Sequence, residues 1–170
     1  MAGALLLRPA TFREVAGDEF AGVQAGLLVV LVGIVEGTVQ ASVRGETALD
    51  TVQVLYSVVA SLIGWVVWGG VVFLVGARLF EYALDFRRVL RAVAFAHSPM
   101  LVYGLAAVPP LTRWDGLVWA VSLLWFASAL VACVRGVMEV PLGRALGITA
   151  VALAGREVVH QALYLLGLAG

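Results

Sequence analysis

Charge is what this sequence has least of. Only 13% of its 170 residues are charged against 62% hydrophobic, and all eleven basic residues are Arg, with no Lys. A soluble domain carries roughly a quarter charged residues and just under half apolar ones. A chain this short has no core large enough to hide such an excess, because small domains leave much of their surface wet. A bilayer removes the difficulty. The net charge of zero leaves no global field to gather nucleic acid or an anionic substrate. One cysteine, Cys133, excludes an internal disulfide and leaves the redox compartment open.

Other absences narrow the function. There is no Ser/His/Asp order, no phosphate-cradling Gly loop and no HExxH. His97, His160 and Cys133 show no metal-ligand spacing. The reading is therefore non-enzymatic, with no catalytic residue, no cofactor and no metal. The first residues, MAGALLLRP, have an apolar run too short for a signal-peptide core, no basic stretch before it and no small-residue cleavage site after it. They predict a chain retained whole that inserts through its first span. Arg without Lys, beside abundant Ala, Val, Leu and Gly, is the composition of a GC-rich genome and points to a bacterial cytoplasmic membrane.

A spanning helix needs about 20 mostly apolar residues. Five segments qualify: 21–39, 52–75, 89–108, 117–138 and 144–168. Turn and charge signals fall between them, in RGETALD (44–50), the Arg-rich stretch 78–91, PPLTRWD (109–115) and EVPLGR (139–144). With the N-terminus inside, the inner segments hold Arg8, Arg13, Arg78, Arg87, Arg88, Arg91, Arg135 and Arg144, and the outer ones Arg44 and Arg113. That bias predicts a cytoplasmic N-terminus and an outer C-terminus. Ahead of the first span, Thr11 to Glu14 matches a capping box after Pro9. A short helix over 11–19, apolar through Phe12, Val15 and Phe20, is expected to lie at the membrane interface. The predicted fold is all-α: a single domain, residues 1–170, of five transmembrane helices preceded by that interfacial helix.

Three stretches carry a resemblance. They are LLLRPATFREVAGDEFAGVQAGLLVVLVG (5–33); GWVVWGGVVFLVGARLF (64–80) with FRRVLRAVAFAHSP (86–99) and Pro109-Pro110; and ALVACVRGVMEVPLGRAL (129–146). In this order they resemble the bacterial branch of the Yip1 family of small polytopic membrane proteins. The resemblance implies a five-span bundle with a cytosolic N-terminus, and architecture more than activity. Its eukaryotic members look like partners of small GTPases, a role not carried over, because the long cytosolic N-terminal region is missing here. Where the family tends to have a Gly-rich turn, this chain has Glu81-Tyr82-Ala83-Leu84-Asp85, which implies a connection that stays helical longer.

Several constellations are candidates for function. Gly22, Gly26, Gly33 and Gly37 fall within an arc of about 60° at 100° per residue. Ser57, Ser61 and Gly64 repeat the theme on the second span. Such faces let backbones approach closely, either inside the bundle or toward a subunit. Glu36 and Gln40 lie near the same face, and a carboxylate within a span must meet protein or water. The fifth segment carries Arg156, Glu157, His160, Gln161 and Tyr164, which read as structural pairing, as an outer interfacial position, or as an ion or substrate path.

Pro99, in His97-Ser98-Pro99, predicts a kink in the third span. Arg78, Arg87, Arg88 and Arg91 form a cytosolic basic cluster, read as a topology determinant or a contact for anionic headgroups. Trp114 suits an aromatic belt, whereas Trp65, Trp68, Trp119 and Trp125 sit deeper, against helices, lipid or pigment. The partners expected are membrane lipid and other membrane subunits or a second copy, with no nucleic acid. The leading function is a scaffold or accessory subunit; its rival is a small transporter or channel component using Glu36 and Glu157/His160.

Overall fold

The computed structural model describes the backbone of residues 7–45, 51–79, 81–83 and 85–165, and side chains as far as Ala154, Leu79 excepted. Helices account for nearly all of it. They are α1 (Pro9–Gly17), α2 (Ala21–Val43), α3 (Thr51–Leu74), α4 (Phe86–Ala96), α5 (Asp115–Met138) and α6 (Leu142–Leu165). A π turn, Val75–Leu79, extends α3, and 3-10 segments run over Ser98–Ala107 and Leu111–Trp114. Four stretches are long and apolar enough to cross a membrane: Ala21–Val43, Thr51–Arg78, Phe86–Ala107 and Leu111–Met138.

The fifth expected span corresponds to α6. It has 24 helical residues, about 36 Å at 1.5 Å per residue. Its described apolar part, Leu142–Ala154, is shorter than a span needs.

The third span is the hub. In its most apolar stretch 56% of the residues are buried inside the protein, against 39%, 22% and 39% for the first, second and fourth. Val89, Ala92, Val93, Ala94, Phe95 and Ala96 are all buried, so α4 has no lipid-facing side over its last turns. Three of these six are Ala, whose small side chains let neighbours close in from several directions. This span packs against α2, α3 and α5, while α6 packs against α3 and α5. The outward faces of α2 and α3 carry large exposed apolar residues, among them Leu27, Leu31, Leu55, Val59 and Ile63. In a bilayer these meet acyl chains.

Helix ends follow local chemistry. Asp85 caps α4, its carboxylate accepting the Arg87 N–H at 2.9 Å. The connection before it leaves the helix at residues 81–83, with Glu81 in the left-handed region at φ 56°. The longer helical connection expected there does not form, because the chain turns back through the Tyr82 N–H to the Gly76 carbonyl (3.1 Å). The short N-terminal helix starts at Pro9 rather than at a Thr11 cap, and its N-cap, Arg8, makes no side-chain capping bond. Proline is suited to a first turn, where no donor is required.

In the third span, Pro99 ends the α-helix altogether. The His97 N–H donates to the Ala94 carbonyl (3.0 Å) and the Met100 N–H to the His97 carbonyl (2.9 Å), both of 3-10 type. Ten residues then continue as 3-10 helix. At 2.0 Å rise they cover about 20 Å, where an α-helix would cover about 15 Å. Proline removes one donor and crowds the carbonyl four residues back, so the tighter winding keeps the backbone paired.

Candidate functional site

Two polar assemblies hold the candidate residues, one at each end of the bundle. The first is the seam between α2 and α3. A Cβ added at Gly33 would stand 2.6 Å from the Val58 Cα, and one at Gly37 2.7 Å from the Val54 Cα. The backbones therefore touch at these two glycines, where any side chain would force them apart. Gly22 has only the Arg91 Cδ nearby, at 4.0 Å, and Gly26 and Gly64 face open space.

Polar side chains line the same seam. The Ser61 hydroxyl donates to Glu36 Oε2 at 2.9 Å. Glu36 lies seven residues before the end of α2, about 10 Å along the axis. Toward that end, Gln53 Nε2 donates to Gln40 Oε1 at 2.7 Å and to the Ser57 hydroxyl at 3.3 Å. Arg44 then donates to Gln53 Oε1 at 3.2 Å. Ser57 is buried, Glu36 and Ser61 half-buried, and Gln40 and Arg44 exposed. The assembly is a ladder, wettest at the helix ends and most closed at Ser57, with Glu36 and Ser61 half-buried beyond it and joined to each other, as a low-dielectric interior requires of polar groups.

The second assembly is at the opposite, basic pole, where α1 docks. Phe12 is fully buried and Ala16 nearly so. Gly136 of α5 admits the Pro9 carbonyl so closely that a Cβ there would collide with it. Arg91 Nη2 donates to the Ala16 carbonyl at 2.7 Å, satisfying an orphan acceptor in the last turn of α1. Arg13 pairs with Glu139 at 2.9 Å, and Arg144 donates to the Tyr82 hydroxyl at 3.2 Å. Arg88 stands 3.9 Å from Asp85. Arg78 and Arg87 are exposed, with no side-chain partner among the described residues. The basic cluster thus divides: Arg91 turns inward as a brace, and the others stay at the surface. Phe20, grouped with Phe12 on the expected apolar side, is 86% exposed instead; the α1–α2 turn, where Asp18 accepts the Phe20 N–H at 2.9 Å, points it outward.

Other candidates sit apart from both assemblies. His97 bonds through Nδ1 to the Val93 carbonyl at 2.8 Å; since a carbonyl only accepts, that nitrogen carries the proton. Its ring lies 4.7 Å from that of Phe126, which also meets Trp68 edge-on at 5.5 Å. Trp65 donates to the Leu90 carbonyl at 2.8 Å, while Trp114 and Trp119 are exposed. The side chains of Arg156, Glu157, His160, Gln161 and Tyr164 lie outside the described ones, although the helix continues beneath them. Among the described residues no group of three or more His, Cys, Asp or Glu is placed to hold a metal ion.

Sequence reasoning missed the Tyr82–Arg144 contact and the buried hydroxyls of Ser122 and Thr149, which have no hydrogen-bond partner among the described residues. A Ser or Thr in an apolar helix is too common to signal anything. Arg144 beside a tyrosine 62 positions away leaves no trace in local spacing.

The Yip1 domain matches residues 3–155 of the chain. The chain belongs to the Yip1 family. The matched region takes in α1 to α5 and the part of α6 whose side chains are described, so both polar assemblies lie within the Yip1 domain. With its four apolar spans, this Yip1-family chain is an integral membrane protein. No curated protein and no solved structure matches it.

Proposed function

We propose that this Yip1-family protein is a non-enzymatic scaffold or accessory subunit of a bacterial cytoplasmic membrane, packing against partner helices or lipid. Its N-terminus lies in the cytoplasm and its C-terminus outside, in keeping with eight arginines at one pole and two at the other. The observation that carries the reading is the α2–α3 seam. There Glu36 accepts from Ser61, so the carboxylate within the span joins two helices of the bundle. Three arginines of the basic pole, Arg13, Arg91 and Arg144, act in the same manner, bracing α1 and α6.

Purification of the full chain in mild detergent with intact-complex mass measurement tests this. A mass above that of one chain, from a second copy or another membrane subunit, is expected. A strictly monomeric protein without a partner overturns it. A small transporter or channel component is the second reading, favoured by the half-buried state of Glu36 within a span. It requires proton-coupled flux in liposomes that E36Q and E157Q abolish. Flux no greater than in empty vesicles removes it.

A further inference from the structure

We propose that the corner between the end of α3 and the start of α6 is a binding site for an anionic phospholipid of the surrounding bilayer. Its polar head is made by Arg78, Tyr82 and Arg144. Tyr82 is the keystone: its backbone N–H is tied to the Gly76 carbonyl at 3.1 Å, and its hydroxyl accepts from Arg144 at 3.2 Å. The π turn that carries Arg78 lies against α6, so both guanidinium-bearing elements meet at one corner.

Among the described residues no acid pairs with either charge there. Arg78 is exposed with no partner among the described residues, and the contact recorded for Arg144 is to a neutral phenol. Glu81 is the carboxylate nearest Arg78 along the chain and Glu139 the one nearest Arg144; neither forms an ion pair with them, and Glu139 faces Arg13 instead. Arg87 and Arg135 are likewise exposed, whereas Arg13 and Arg88 face Glu139 and Asp85; what sets the corner apart is that two guanidinium-bearing elements and a tyrosine hydroxyl meet there. A phosphodiester offers the missing charge and the acceptor oxygens that two guanidinium groups can bind together.

The surface running from the corner toward the membrane interior suits an acyl chain. On α6, Arg144, Gly147 and Val151 share a face at i, i+3 and i+7. Gly143 and Gly147 have no atom within 4 Å of where a Cβ would stand, and Val151 is 46% exposed. Leu74, 54% exposed one turn before Arg78, supplies an apolar flank on α3. A headgroup held at the two arginines therefore has an open apolar path for its tail. A zwitterionic lipid fits this shape equally well but brings a compensating ammonium, so the site is selective for the anionic class. The inference stands apart from the scaffold reading, since lipid selectivity and subunit association are measured separately.

The test uses the full-length protein in nanodiscs of phosphatidylcholine doped with spin-labelled phosphatidylglycerol or spin-labelled phosphatidylcholine. The wild type should immobilise the phosphatidylglycerol label preferentially. R78Q and R144Q should each lower that preference about fivefold, the share of one cation near a lipid surface. E81Q should raise it, R144K should retain part of it, and R135Q, an exposed arginine on α5 that takes no part in the contacts of the corner, should leave it nearly unchanged. Equal immobilisation of both labels by the wild type overturns the proposal. A loss in R135Q as large as in R144Q also overturns it, because it would show diffuse attraction to the pole. Unaltered circular dichroism of each variant separates lost binding from lost folding.

Discussion

The two ends of the bundle solve the same problem, fastening one helix to another, in different ways. In the α2–α3 seam the fastening is close backbone approach at Gly33 and Gly37, with neutral hydrogen bonds and one carboxylate beside it. At the basic pole α1 is held by a fully buried Phe12 and by arginines reaching a carbonyl or an exposed carboxylate. The contrast follows the solvent. Among acyl chains apolar burial gives little advantage to one helix over another, so contact area and hydrogen bonds decide. Next to water the hydrophobic effect acts fully, and arginine heads can remain hydrated while their stems pack.

The largest effect expected is that of F12A. Emptying a fully buried phenylalanine site costs about 3–5 kcal/mol, and here the loss should fall on α1 docking. Amide exchange across residues 9–17 should rise sharply while the spans stay protected; unchanged protection would erase the distinction drawn for this pole. Next is G33A, whose new methyl meets backbone at Val58. Forced separation of α2 and α3 should cost about 1–3 kcal/mol in detergent unfolding. G26A, on the same helix face but in open space, should stay within about 0.5 kcal/mol of wild type. Equal losses in the two variants would mean that helix propensity, not contact, governs the seam.

S61A should have a smaller effect, about 0.6 kcal/mol, the average for an interhelical hydrogen bond in a membrane. It should be nearly independent of salt. E139Q breaks an ion pair whose side chains are 61% and 66% exposed, and should cost only a few tenths of a kcal/mol. That loss should vanish in high salt. Melting both variants at low and high ionic strength sharpens the comparison, and a salt-sensitive S61A would contradict it.

The four apolar spans and the short helix ahead of them were legible because length and hydropathy are local quantities. Pro99 was legible as a kink, but the end of the α-helix there and the ten-residue 3-10 run after it were not, since they depend on the packing around the span. The glycine face shows the limit most clearly. Periodicity places Gly22, Gly26, Gly33 and Gly37 on one arc, but only the last two meet another backbone. Which part of a face is used depends on where the partner helix crosses it. The same holds for Arg91, which reads as one of four cytosolic arginines. Its guanidinium instead finds the Ala16 carbonyl, 75 positions away.

The sequence by itself determined that this chain belongs in a membrane, that it is all-helical, and that its arginines gather at one pole. These follow from composition and order along the chain, because a bilayer imposes one length and one polarity on every helix that crosses it. Only the tertiary structure decided that the third span is the hub, that Glu36 faces Ser61, and that Tyr82 meets Arg144. Each depends on two elements distant in sequence arriving at one place. That meeting is set by packing over the whole bundle, which no local pattern encodes.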